Sequence, residues 1–263
     1  MRMTSRKTTA LLAAVLAAGL VMASSVPAEI DEDPPLRGIF NGQISPKKLP
    51  RTGTAPVGVQ MGGKIQTKDK SIPPKLERII LDINRNGKLQ TKGLRRCPLG
   101  KLRSISSQGA RRACGDALIG NGNVTSRVSL PGQGAFASNG PMLAFNGRYK
   151  GKAAVFAQVA TGAPLPLTYV IIFEVKKKGG TFGNSLVGTL PPIASEYGYI
   201  TAFNLSLRRQ YSFKGKRMSY ASGSCPAPKG FPGAQFTFAK VSYQFADGSN
   251  LGATLVKECK VRR

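Results

Sequence analysis

The chain has 263 residues, with 39 Lys and Arg against 12 Asp and Glu, four Cys, and neither His nor Trp. A formal charge of +27 sets up a long-range field that attracts polyanions. The lack of histidine excludes Ser-His-Asp and Cys-His nucleophiles and His-ligated zinc, and oxidation of the cysteines would exclude thiolate catalysis as well.

Residues 1–28 have the form of a secretory signal. Arg2, Arg6 and Lys7 make a basic start, and Ala10 to Ala23 is apolar but shorter than the ~20 residues of a membrane span. Val26-Pro27-Ala28 supplies the small residues of a cleavage site, placed after Ala28. The segment has no cysteine for lipid attachment and no twin arginine. Cleavage leaves 36 basic and 12 acidic residues, a net +24. Nothing after the signal is apolar enough to span a bilayer. The expected location is the medium or the cell envelope.

Residues 29–35, EIDEDPP, are acidic and Pro-rich and are expected to form a flexible start. From Leu36 onward the pattern is that of strands: Val57, Val59, Met61 and Ile65 share a parity, as do Ile79, Leu81 and Ile83 ahead of an Asn84-Arg85-Asn86-Gly87 turn. Residues 97–116 differ. Leu99, Leu102, Ile105, Ala110 and Ala113 recur every three to five residues, with Arg111 and Arg112 near the end and Gly115 beyond Cys114. This predicts one short basic helix or helical loop near 98–114.

Strands then return at Leu118 to Leu130, Met142 to Tyr149, Lys152 to Ala160, Leu167 to Lys178 and Ser185 to Leu190. Tyr197, Tyr199, Thr201, Phe203, Leu205 and Leu207 give one apolar face, continued in parity by Tyr211 and Phe213, while Asn204, Ser206 and Arg208 lie on the opposite one. At the end, Val241, Tyr243, Phe245, Leu251, Ala253 and Leu255 flank Asp247-Gly248 as a hairpin. Their common parity demands a loop of three or five residues and pairs Phe245 with Leu251, Tyr243 with Ala253 and Val241 with Leu255. The fold class is all-β, mainly antiparallel and sandwich-like, over residues 36–263. A subdivision near 95–115 and one continuous body both fit the pattern.

Four cysteines in an exported chain imply two disulfides. Three connectivities are possible. Loop closure favours Cys97–Cys114 and Cys225–Cys259 over the others, though weakly. The parity argument puts Cys259 opposite Thr237, at the hairpin end away from Asp247. No C-x-x-C occurs, so no metal ligand set is expected, nor any cofactor.

GLRRCPLGKL, ARRACGDALIGNGNV, YITAFNLSLRRQYSFKGKRMSYASGSCPAPKGFPGAQF and FADGSNLGATLVKECKV resemble a group of secreted proteins of high-GC Gram-positive bacteria. The likeness runs from about Leu76 to Val261 and takes in all four cysteines. It implies export, disulfides and a bacterial surface, and it carries over no catalytic residue.

Glycoside hydrolysis would need two facing carboxylates. Beyond the acidic start and Asp69, the available acids are Glu77, Asp82, Asp116, Glu174, Glu196, Asp247 and Glu258. Glu174 and Glu258 sit beside Lys176 and Lys257, Asp247 belongs to a turn, and Glu196 in SEYGY is the one suggestive acid. Ser45-Pro46-Lys47-Lys48 matches S-x-x-K, but its prolines put it in a loop and the partner motifs S-D-N and K-T-G do not occur. The charge is the feature with a physical consequence. Clusters stand at Lys47-Lys48, Arg95-Arg96, Lys101 to Arg112, Lys176 to Lys178, Arg208-Arg209, Lys214 to Arg217 and Arg262-Arg263. The expected activity is non-catalytic binding to anionic envelope polymers or an anionic membrane surface, without sequence-specific nucleic-acid recognition. Lys101, Arg103, Arg111 and Arg112 are the expected contacts, because the Cys97–Cys114 disulfide would fix them. A structural surface protein without a specific ligand is the first alternative, and a carboxylate glycosidase the second.

Overall fold

The computed structural model describes residues 28–162, 166–191 and 197–262. Residues 1–27, where the secretory signal is expected, and Glu196 lie outside the described residues. The alternating segments form β1 (Glu29–Asp33), β2 (Leu36–Ser45), β3 (Lys48–Leu49), β4 (Ala55–Pro56), β5 (Gly58–Thr67), β6 (Leu76–Asn84) and β7 (Gly87–Leu89). After the helix α1 (Ser107–Cys114) come β8 (Leu118–Val128), β9 (Phe136–Tyr149), β10 (Lys152–Thr161), β11 (Leu167–Lys177) and β12 (Phe182–Thr189). The chain ends with β13 (Gly198–Leu207), β14 (Gln210–Phe213), β15 (Lys216–Ser219), β16 (Ala221–Gly223), β17 (Gly233–Phe245) and β18 (Asn250–Val261). The protein is all-β with one short α-helix among the described residues. No described helix is long and apolar enough to cross a membrane.

Thirteen strands make one sheet in the order β1-β2-β5-β13-β8-β9-β10-β11-β12-β6-β17-β18-β3, antiparallel except where β3 joins β18. The sheet curls until β1 and β2 lie against β18. The Asp31 carboxylate accepts the Gly252 N–H at 2.7 Å across this meeting. Close approach is possible because β2 carries glycine there: a Cβ on Gly42 would stand 2.8 Å from Leu255 Cδ2. The opposed halves of this one sheet are the two layers that the alternating pattern implied. Their inner faces share a core running from Phe40 on β2 to Leu255 on β18. A cavity of about 80 Å³ remains in it, lined by Leu81, Val155, Leu205 and other apolar side chains.

Residues 29–33 are not a flexible start. They pair with β2 from Glu29↔Phe40 to Asp33↔Leu36. The pairing uses the backbone, so the acidic side chains do not oppose it. The parity of β13 also breaks. A bulge between Ile200 and Ala202 turns Ile200 into the core, while Phe203, Leu205 and Leu207 stay inward. Tyr197, on the wrong side of the bulge, is 43% exposed. Tyr211 and Phe213 belong to a separate hairpin, β14–β15.

In the last hairpin the parity holds and the exact register does not. Tyr243 pairs with Leu251 and Val241 with Ala253. The loop has three residues, Ala246 to Gly248, closed by the Phe245 N–H donating to the Ser249 carbonyl at 3.0 Å. Asp247 Oδ1 accepts the Ser249 N–H at 3.0 Å, and Gly248 takes the left-handed φ of 86° that such a loop requires. That tight closure moves every pair by two residues from the expected register. A second bulge between Thr237 and Ala239 adds one more, so Cys259 faces Ala234 rather than Thr237. The disulfides are Cys97–Cys114 and Cys225–Cys259, the connectivity that loop closure favoured.

Candidate functional site

β9 and β10 are apolar on both faces. Met142, Ala144, Val155 and Ala157 point into the main core. Leu143, Phe145, Ala154 and Phe156 point the other way and are buried too, under residues 97–117. This segment is a cap made of a 3-10 turn at Leu99–Lys101, α1, and a second 3-10 turn at Gly115–Ala117. Leu102, Ala110 and Cys114 are its buried anchors.

So short a cap cannot hold itself together by burial alone, and four braces fix it. Ser106 caps α1 by accepting the Gly109 N–H at 3.1 Å. The disulfide ties the end of α1 to Cys97. Asn146, buried on β9, donates from Nδ2 to the Arg95 carbonyl at 2.8 Å and accepts the Cys97 N–H on its own carbonyl at 2.9 Å. Gln158, buried on β10, donates from Nε2 to the Ile105 carbonyl at 2.7 Å. Buried amides thus satisfy backbone groups that no regular element pairs.

Ala110 and Cys114, four residues apart, face inward, which leaves Arg111 and Arg112 exposed in the last turn of α1. There they also face the negative end of the helix dipole. They line a surface cleft of about 410 Å³ together with Arg95, Arg96 and Lys101. All five side chains are exposed. Asp116 is the one carboxylate of the cleft. Arg209 adds a further guanidinium nearby, donating to the Asp116 carbonyl at 3.3 Å. Among the described residues the ion pairs are Glu32 with Arg37 and Lys68, and Asp82 with Lys178. No cation of the cleft is engaged in them.

Of the four expected contacts the structure gathers Lys101, Arg111 and Arg112. Arg103 lies elsewhere, in a cleft on the other side of the cap. Leu102 between Lys101 and Arg103 is fully buried, so its neighbours leave the cap in different directions. Arg95 and Arg96 line the same cleft and Arg209 stands beside it, cations that the charge pattern did not assign to this group. The first two immediately precede Cys97, and the disulfide is what folds them back onto the end of α1.

The acids are dispersed. Asp82 is buried in its ion pair with Lys178. Asp247 serves its turn, where the Ser249 hydroxyl and N–H hold its carboxyl below the usual range. Glu258 accepts from Gln235 Nε2 at 3.2 Å. The two clefts beside the cap hold one carboxylate each, Asp116 and Glu174, so neither presents the facing pair that glycoside hydrolysis uses. Ser45 ends β2 and Lys48 starts β3, a connection rather than the helix start that S-x-x-K chemistry needs. Among the described residues no group of three or more Cys, Asp or Glu is placed to hold a metal. No family model, no curated protein and no solved structure matches the chain.

Proposed function

We propose that the protein is an exported, non-catalytic binder of anionic polymers, such as those of a bacterial envelope, and that the cleft at the end of α1 is its contact surface. The observation that carries this is the convergence of Arg95, Arg96, Lys101, Arg111 and Arg112 on one cleft with a single carboxylate. Bringing five cations together costs electrostatic free energy in the free protein, and an anionic chain laid across them recovers it while releasing its condensed counterions. The braces hold the backbone that bears them, which lowers the ordering entropy of binding. Two disulfides and the likeness to secreted actinobacterial proteins support export.

The cleft has no aromatic platform among its lining residues, so it favours charge over base or sugar identity. Titration against teichoic acid and heparin at several salt concentrations tests the reading. The expected result is binding to both, with log affinity falling linearly in log salt. Failure to bind either polymer at low salt overturns it and leaves a surface protein without this ligand.

A further inference from the structure

A cleft of about 730 Å³ opens on the other side of the cap, over the outer faces of β11 and β12. On β11, Tyr169 and Ile171 point into the main core and Val170 and Ile172 point outward. Their partners on β10 are Gln158 and Phe156, both buried beneath the cap. The cap ends there. Val170 and Ile172 are only half-buried, and Val187 on β12 extends the same apolar strip. With Leu99 from the cap, these side chains make an aliphatic floor.

The rim has the opposite character. Arg78, Arg103, Lys150 and Lys176 stand around the floor, and the one carboxylate, Glu174, pairs with Val187 and closes the apolar strip at that end. Lys150 and Gly151, with φ of 47° and 76°, form the two-residue β9–β10 turn that places Lys150 on the rim. Lys150 Nζ lies 5.4 Å from the centre of the Tyr149 ring, which also lines the cleft.

We propose that this cleft binds an amphiphile with one acyl chain and an anionic head, the chain along Val170, Ile172 and Val187 and the head on the rim cations. The floor is aliphatic, which suits a hydrocarbon chain better than a sugar ring. The rim carries four cations against one carboxylate, which selects an anionic head. The same rim repels a second copy of this strongly basic chain.

The absence of Trp makes a fluorescent probe convenient. Binding of dansyl-undecanoic acid is followed by fluorescence and then competed with dodecanoate and with dodecanol. The expected outcome is enhanced dansyl emission, displaced by dodecanoate at least about tenfold more effectively than by dodecanol, the ratio due to a charge-assisted contact. Arg103→Gln with Lys150→Gln removes most of that ratio. Val187→Asp, at a half-exposed position, abolishes displacement while circular dichroism and Tm stay close to those of the parent. No enhancement of emission overturns the proposal. So does displacement that is indifferent to both the head group and Val187→Asp, since the chain would then enter elsewhere. Sedimentation showing a dimer that Val187→Asp dissociates, with no amphiphile bound, assigns the strip to self-association and overturns it as well.

Discussion

The five-cation cleft makes a quantitative demand on salt dependence. Each phosphate neutralised on duplex DNA contributes about −0.9 to the slope of log affinity against log salt, so five contacts give a slope of about −4.5. A fourfold rise in salt then lowers affinity by about 500-fold. Changing Arg95, Arg96, Lys101, Arg111 and Arg112 to Gln takes residues 29–263 from +24 to +19. Changing Lys64, Lys88, Lys229, Lys240 and Lys260, exposed lysines outside the cleft, gives the same +19. A general field cannot distinguish the two variants and a localised site must. The assay is fluorescence anisotropy of a labelled short duplex at four or more salt concentrations. The cleft variant is expected to lose most of the slope and the scattered variant to keep a slope within about 1 of the parent's. Equal slopes for the two variants refute the localised site. A parent slope shallower than about −2 refutes the five-contact count.

Three further outcomes follow from the packing. The Tyr243 hydroxyl is buried without a hydrogen-bond partner, directly over Gly63, so Tyr243→Phe should raise stability by about 1 kcal/mol in denaturant unfolding; a loss of stability would mean the hydroxyl is paired. Burial raises the hydroxyl pKa of Tyr169 to about 12 and pushes those of Tyr220 and Tyr243 up as well. A raised native pKa means their contribution to stability is intact below about pH 10 and is lost above it, at up to about 1.4 kcal/mol per pH unit for each. Tyrosinate absorbance should accordingly show these three ionising only as the protein unfolds. Reversible ionisation of all seven tyrosines in the native state would contradict the burial. Removing Cys97–Cys114, with its sequence separation of 17, should cost about 3 kcal/mol, and removing Cys225–Cys259, with its separation of 34, about 4 kcal/mol, read by chemical denaturation. Only the first removal should also weaken polyanion binding, because of the two disulfides only that one ties the Arg95-Arg96 segment to the end of α1.

What could be read in advance depended on whether a feature was periodic. The parity of Val241 to Leu255 was legible, since a slip by one residue would turn a whole face out of the core. Its exact register was not. The Asp247-Gly248 loop closes tightly through side-chain bonds, and the bulge at Phe238 has no periodic signature. The bulge at Thr201 hid in the same way, because Tyr197 and Tyr199 kept the count of two while the backbone did not. β1 was illegible for a different reason: EIDED has no alternation, and its strand is specified by backbone pairing to β2 and by one carboxylate reaching Gly252. At the site, the basic pair and the following Gly115 located Arg111 and Arg112 at the end of a helix, while the apolar marker Ala113 is exposed and Cys114 takes the buried position. The buried Leu102 that separates Lys101 from Arg103 was itself one of the apolar markers, but only the packed cap shows that the chain turns there.

Both clefts owe their existence to the way the sheet is finished. A β9–β10 pair buried on both faces needs a cover, and an extended sheet would normally receive long helices. Here the cover is one eight-residue helix and two 3-10 turns, tied down by Asn146, Gln158 and a disulfide. A cover that narrow seals Phe145 and Phe156 but ends before Val170 and Ile172, which leaves an apolar strip along one border. Along the other border the chain enters through Arg95-Arg96 and leaves α1 through Arg111-Arg112, so the crosslink that closes the cap also concentrates its charge. The braces that stabilise the cap are therefore the same bonds that set the positions of its cations, and the geometry of each cleft follows from where the cap stops.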